Sequence, residues 1–350
     1  MRIGVLGAGP IAQFAHFDAV RKSRNAELYA ICDVAPDLLA RMAAVHEPRT
    51  TFIDYDTMLA DASVDAVIIA TADAFHVPAA LRALSAGKHV LVEKPVGTSV
   101  EEVRALRDAV QASGHVLQVG HMKRFDPGIA FARECIRDDI GSLVALKAWY
   151  ADSIYRYTMT DALQPMPVRS SGARAPATNP KADRQQYFML THGSHLIDTA
   201  QYLGGRITSV DAQHIERDGM HCWFVATTFA DGSVGHLDLT VAVRMDWHEG
   251  FQIYGTHGSV IGRTYLPWYF RASDVECFSG RDRLSRRPLG EDAQFFRRQV
   301  EAFADTVLTG APQIGATIDD GLAITEVMVA IRRSAAGAGR VQVADAVGAV

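Results

Sequence analysis

Residues 2–13 read RIGVLGAGPIAQ. An apolar run, Ile3 to Leu6, meets Gly7-x-Gly9-x-x-Ala12 and passes directly into residues with helical spacing. That order describes a buried strand, a tight turn and a helix. Gly7 permits the turn, Gly9 lets the backbone approach a pyrophosphate, and Ala12 allows the helix to pack closely on the strand. The helix N-terminus then presents its positive end to phosphate. Gly7, Gly9, Pro10, Ile11 and Ala12 are therefore the expected pyrophosphate-side residues. The glycine pattern is weak evidence by itself, and its context strengthens it. The next strand, ELYAICD (27–33), ends in Asp33. An acid there accepts from a ribose 2′-hydroxyl and repels a 2′-phosphate, so NAD is expected in preference to NADP. Val34 follows it, and Arg41 is the nearby cation that would favour NADP.

Outward from this unit the pattern repeats. DAVIIAT (65–71) and KHVLVEK (88–94) hardly alternate, as expected of strands buried on both faces. Helical spacing fills the intervals at 36–46, 75–87 and 99–114, and HVLQVG (115–120) closes the series. Strands alternating with helices predict a parallel sheet wrapped by helices, a Rossmann domain over 1–122. Beyond it the segments at 142–153, 207–219, 221–233, 234–247 and 249–262 are longer and alternate polar with apolar residues. ADGS and THGS mark turns between neighbours, which predicts a mostly antiparallel sheet. The fold class is thus α/β, with a second α/β domain over 123–350 carrying a large open sheet.

Composition narrows the function. The 350 residues are 48% hydrophobic and 21% charged, with a net charge of −5. There is no basic surplus for nucleic acid. No apolar run approaches the ~20 residues of a membrane span. The start of the chain leaves no room for a signal-peptide core. Cys32, Cys135, Cys222 and Cys277 form no CxxC pair and read as reduced thiols, so a cytoplasmic protein without a structural metal is expected.

Two further stretches carry chemistry. In VLVEKPVG (90–97), Lys94 stands at the carboxyl end of a buried strand, the edge where open α/β sheets bind ligands. There it can hydrogen-bond a substrate hydroxyl. In YFMLTHGSHLIDTAQYLGG (187–205), one helix is expected, with His192, His195 and Asp198 spaced three apart on roughly one face. Zinc-binding helices favour histidines four apart, so this spacing does not suggest a metal site.

Together these blocks resemble the Gfo/Idh/MocA family, which includes glucose–fructose oxidoreductase and inositol dehydrogenases. ATADAFH (70–76) is similar to its TPNxxH loop, with Ala72 in place of proline. EKP (93–95), GHMKRFDP (120–127), FQIYGTHGSV (251–260) and the closing DDGLAITEVMVAIRRSAAGAG also match in order. The resemblance implies hydride transfer between NAD(P) and a hydroxyl-bearing carbon of a sugar, inositol or related polyol. It also implies a homodimer or homotetramer formed through the sheet. It assigns Lys94 and His195 to catalysis, Thr71 and Glu93 to the nicotinamide side, and His76 and Lys94 to cofactor binding. Family members carry an aspartate four residues before the histidine; here that position is Thr191. His192 or Thr191 is expected to take its place, as substrate contact or relay.

His121, Lys123, Arg124 and Tyr155 are further expected substrate contacts. The loop 153–186 adds Arg156, Arg169, Arg174, Lys181 and Arg184, a set able to recognise a carboxylate or phosphate if it is not simply solvated. Trp149 and Trp268 are either core or sugar-stacking residues. The leading reading is an NAD-dependent sugar or polyol dehydrogenase. Two others stand beside it: a redox-neutral enzyme that processes glycosides on retained NAD, and a non-catalytic NAD-binding regulator.

Overall fold

A computed structural model describes residues 1–155, 167–174, 177 and 182–350. The chain forms two compact units. Of the described residues, the first comprises 1–122, 167–174, 177, 182 and 294–322; the second comprises 123–155, 183–293 and 323–350. The sequence reading placed all of 123–350 in one domain, whereas residues 294–322 pack with the first unit. Hydrogen bonds account for this: Val119 N donates to Ala316 O, and Arg24 and Asn25 bond Glu301 and Asp305.

In the first unit, strands β1 (Arg2–Leu6), β2 (Glu27–Cys32), β3 (Thr50–Phe52), β4 (Ala66–Ile69), β5 (His89–Val92) and β6 (Leu117–Val119) form one sheet in the order β3-β2-β1-β4-β5-β6. Every pairing is parallel. Helices α1 (Phe17–Arg21), α2 (Pro36–His46), α3 (Tyr55–Ala60), α4 (His76–Ser85) and α5 (Val100–Ser113) connect the strands. Ile3, Val5, Ile68, Ile69, Leu91 and Val92 are fully buried, which explains why these strands do not alternate. Helix α5 starts at a capping box of Ser99 and Glu102 and stops at left-handed Gly114. The strand order reverses between β1 and β4. A crevice at such a switch point, at the carboxyl ends of the strands, is where doubly wound sheets take ligands.

The second unit holds α6 (Pro127–Asp138), β7 (Leu143–Ser153), α7 (Arg184–Phe188), α8 (Ser194–Gly204), β8 (Ile207–Arg217), β9 (Met220–Phe229), β10 (Val234–Val243), β11 (His248–Gly255), β12 (Gly258–Thr264), β13 (Asp274–Ser279) and β14 (Leu284–Arg286). After α9 (Phe295–Thr309) and α10 (Ile318–Arg333), β15 (Val341–Gln342) completes its sheet, ordered β14-β13-β12-β11-β7-β10-β9-β8-β15. The sheet is antiparallel except where β10 runs parallel to β7. Along β9, His221, Trp223 and Val225 are buried while Phe224 faces out. That alternation is what the sequence displays. Leu196, Ile197, Ala200 and Leu203 of α8 are buried.

The helix expected over 187–205 is present, beginning at Arg184, but it is not a regular α-helix throughout. A π-helical turn, Met189–Gly193, separates α7 from α8. A π turn accommodates an extra residue, so positions on either side lose the 3.6-residue register. His192 and Asp198 consequently meet different partners.

Candidate active site

The dinucleotide turn leaves the end of β1 at the switch point. Gly7 adopts φ +95°, and a Cβ there would stand 2.8 Å from the Ala70 carbonyl oxygen. Glycine is required by both conformation and space. Around Gly9 nothing lies within 4 Å of a Cβ position, which leaves the clearance a pyrophosphate needs. Gly9, Pro10 and Ile11 are accessible, whereas Ala12 is fully buried against the sheet. Asp33 accepts from Ala8 N at 2.7 Å and from Ala35 N at 2.9 Å. The carboxylate thus fixes the turn from the end of β2 and keeps lone pairs for ribose hydroxyls. This arrangement fits a dinucleotide.

A second layer was not legible in the sequence. The side chain of Gln13 forms a two-way bridge to Val168, donating to its carbonyl and accepting from its N–H, both at 2.9 Å. Ser170 donates to Asp37 and holds that carboxyl below its ordinary range. The described part of the long loop therefore lies against the helical turn that follows the glycines and against the start of α2. Arg169 and Arg174 are exposed there, and Arg174 stacks over Phe75 at 5.3 Å. Arg156, Tyr157 and Lys181 lie outside the described residues.

Thr71 and Lys94 both sit partly exposed, just past the carboxyl ends of β4 and β5. His76 is buried, with Nδ1 2.8 Å from the Pro95 carbonyl oxygen and Nε2 3.1 Å from that of Thr71. Its ring braces the two strand ends. Glu93 is buried too. Its Oε1 lies 2.9 Å from His16 Nε2, and its Oε2 accepts from Lys94 N at 3.1 Å. Burial pushes the Glu93 carboxyl up, but the bond to His16 and the nearby charges of His16, Lys94 and His76 outweigh it and hold it below the ordinary value. His16 was missed because nothing local marks it; it lies in the π-helical turn Ala12–His16, before α1. His121 is buried at the end of the unit, with its N–H on the Val119 carbonyl.

In the second unit the expected residues gather around Tyr150 of β7. His195 is 7% exposed, and its ring lies parallel to that of Tyr150 at 6.2 Å. His192 meets the same ring edge to face at 5.5 Å. Lys123 lies 4.5 Å over it, buried, and pairs with Glu249. Burial pushes Lys123 down and Glu249 up, and their mutual attraction opposes both shifts. Arg124 donates from Nε and Nη2 to Asp198 Oδ1 at 2.9 and 2.6 Å, and stacks over Tyr202. Asp198 is thus neutralised by a buried cation, three residues on from His195 in the same helix. Tyr155, after β7, is 50% exposed. Trp149 lies on the outer face of β7, stacked on His248.

Asp152 is the principal omission of the sequence reading. It lies on the inward face of β7 with Ala148 and Tyr150, and its carboxylate meets His192 at 2.6 Å. An acidic residue at an inward position of an alternating strand was the available signal.

Comparison with known proteins agrees with this geometry. Residues 1–121 match the model described as oxidoreductase family, NAD-binding Rossmann fold, and residues 156–261 match the GFO/IDH/MocA C-terminal domain. The chain is 27% identical to inositol 2-dehydrogenase of Rhizobium meliloti (strain 1021), over 98% of this chain and 99% of that protein. It is 23% identical to 1,5-anhydro-D-fructose reductase of Ensifer adhaerens, over 96% of each. The crystal structure of scyllo-inositol dehydrogenase from Lactobacillus casei with NAD(H) and scyllo-inositol superposes with a TM-score of 0.75 at 22% identity, over 99% of each chain. The chain belongs to the GFO/IDH/MocA family of NAD-binding oxidoreductases.

Proposed function

We propose that the protein is an NAD-dependent dehydrogenase, or reductase, of a secondary alcohol on a sugar, inositol or related polyol. The observation that carries this is the shared edge of the first sheet. The glycine turn, Asp33, Thr71 and Lys94 all lie at carboxyl ends of its parallel strands, on both sides of the switch point. Gly7, Gly9, Pro10, Ile11 and Ala12 hold the pyrophosphate in this reading, Asp33 the adenosine ribose, and Thr71 and Glu93 line the nicotinamide. His76 supports them by bracing both strand ends. Bound NAD supplies the hydride acceptor, or as NADH the donor. Lys94 donates a hydrogen bond to the substrate hydroxyl and stabilises developing negative charge on its oxygen. His195 accepts the hydroxyl proton and returns it in reverse, a task suited to an imidazole near neutral pH. Tyr150 fixes the plane of the His195 ring. Thr191, His192, His121, Arg124 and Tyr155 are assigned indirect or peripheral parts in substrate binding. The inositol and sugar enzymes among the relatives support this substrate class. Four free cysteines suit a cytoplasmic location.

The test is to mix purified protein with NAD⁺ and, separately, NADP⁺ against inositols, aldoses, glycosides and uronates, following reduced-nicotinamide absorbance. NADH formed with a neutral polyol supports the reading. A response to acidic sugars alone would bring Arg169, Arg174 and Arg184 into the site. Product formed without net NADH would indicate redox-neutral chemistry on retained cofactor. Asp33→Ala is expected to remove about 1.5–3 kcal/mol of hydrogen bonding. It should weaken NAD⁺ binding by about 10- to 100-fold, read by titration calorimetry.

We also propose that the outer face of the large sheet makes a homodimer or homotetramer. Ile215, Phe224, Val234, Tyr254, Ile261 and Phe278 are 37–55% exposed there. The strand pairings place them on one surface, and apolar patches of this kind mark protein interfaces. The double variant Phe224→Asp, Ile261→Asp is expected to sediment as a monomer where the wild type sediments as an oligomer.

A further inference from the structure

Tyr150 and Asp152 lie two residues apart on β7 and share its inward face, because side chains alternate along a strand. Asp152 Oδ2 is 2.6 Å from His192 Nε2, with both side chains buried. The other ring nitrogen, Nδ1, is 2.7 Å from Thr191 Oγ1, and that oxygen is 2.6 Å from the Tyr187 carbonyl oxygen. These short contacts fix a proton inventory. A carbonyl oxygen only accepts, so the single hydroxyl proton of Thr191 goes to Tyr187. Thr191 Oγ1 must then accept from Nδ1–H of His192. The remaining contact, between Nε2 and the carboxylate, needs a proton of its own. The pair therefore holds one proton more than a carboxylate beside a neutral imidazole. In model compounds an imidazole is more basic than a carboxylate by roughly 2–3 pKa units, so that proton belongs on the ring.

We infer that Asp152 holds His192 as an imidazolium, and that through it Asp152 is a positioning residue for the proton transfer assigned to His195. This rests on the dehydrogenase reading above. Both nitrogens of His192 donate into the protein, so His192 is not a base, and the helix offers His195 for that role. The two rings meet through Tyr150, edge to face with His192 and parallel to His195. Asp152 anchors His192, His192 sets Tyr150, and Tyr150 sets the ring that takes the proton. Several charged or titratable groups surround the pair. His195 and Asp198, the latter with Arg124, lie on the next turns of its own helix. Lys123 and Glu249 lie beyond Tyr150. His221 lies behind Phe188, and Arg184 stacks over Phe188.

The test is nitrogen-15 NMR of the histidine rings in the full chain, with the His192 signals identified by their loss in His192→Gln. Both ring nitrogens of His192 are expected to stay protonated at about pH 8, above the ordinary histidine value of about 6.5. In Asp152→Asn the ring is expected to be neutral there. The same variant should lower kcat by about tenfold or more, as loss of an orienting partner does. KM for NAD⁺ should be unchanged, and Asp152→Glu should recover part of the rate. A neutral His192 at that pH in the wild-type protein would overturn the inference without any variant having to fold. So would an Asp152→Asn enzyme with undiminished kcat. Because the NMR signature needs no substrate, it stands or falls separately from the dehydrogenase reading.

Discussion

His195→Ala is expected to lower kcat by about 100- to 10,000-fold, the usual contribution of a positioned acid–base group. The Kd for NAD⁺ is expected to change little. His195 belongs to the unit that lacks the dinucleotide turn, and its ring lies parallel to that of Tyr150. A proton acceptor acts in the transition state, so its loss appears in kcat and in kcat/KM together. Lys94→Ala should produce a fall of comparable size with a different signature. Lys94 adjoins Glu93, whose carboxylate accepts from its backbone N–H. That backbone bond survives the substitution, so the nicotinamide side keeps its shape. What is lost is the donor to the substrate oxygen, and KM for the polyol should rise as kcat falls. Stopped-flow kinetics with fluorescence titration of NADH separates the two. Turnover at the wild-type level in either variant would remove that residue from the mechanism.

Arg124→Ala is expected to destabilise the protein by about 3–5 kcal/mol, because it strands a buried carboxylate. The guanidinium makes two bonds to one oxygen of Asp198, and the two side chains are 7% and 3% exposed. Arg124→Lys cannot reproduce both bonds from a rigid fork and should lose much of the same stability. Replacing both partners with leucine should recover most of it, since an apolar pair leaves no orphaned charge. Urea unfolding monitored by circular dichroism measures all three. If Arg124 chiefly contacts substrate, as the sequence reading expected, Arg124→Ala would instead raise the polyol KM and leave the unfolding midpoint in place.

What could be read from the chain followed the range of the interactions. The positions of the glycine turn, Asp33 and Lys94 at strand ends were legible because each is defined by a few neighbouring residues and one strand end. The burial of β4 and β5 was legible from their lack of alternation. Two features were not. The parallel pairing of β7 with β10 joins strands with two others between them in sequence, and no local pattern encodes it. The placement of His192 relative to His195 and Asp198 depends on a π turn that 3.6-residue spacing does not anticipate. Their partners, Asp152 and Arg124, come from elements far away in sequence. His16 was hidden for the same reason, since its partner Glu93 lies just past β5, far away in sequence. The missing aspartate at Thr191 was visible, but Thr191 bonds back to the Tyr187 carbonyl and to His192. The carboxylate near this turn is supplied instead by β7.

Deuterium transfer tests whether the protein moves a hydride from a polyol carbon to NAD⁺. The enzyme would be incubated with NAD⁺ and myo-inositol deuterated at its ring carbons, or the equally labelled polyol that reacts fastest in the panel, and the cofactor analysed by mass spectrometry. The expected result is reduced cofactor carrying one deuterium, formed in a one-to-one ratio with ketone product. Ketone formed without deuterium in the cofactor, or failure to oxidise any sugar or polyol in the panel, would contradict it.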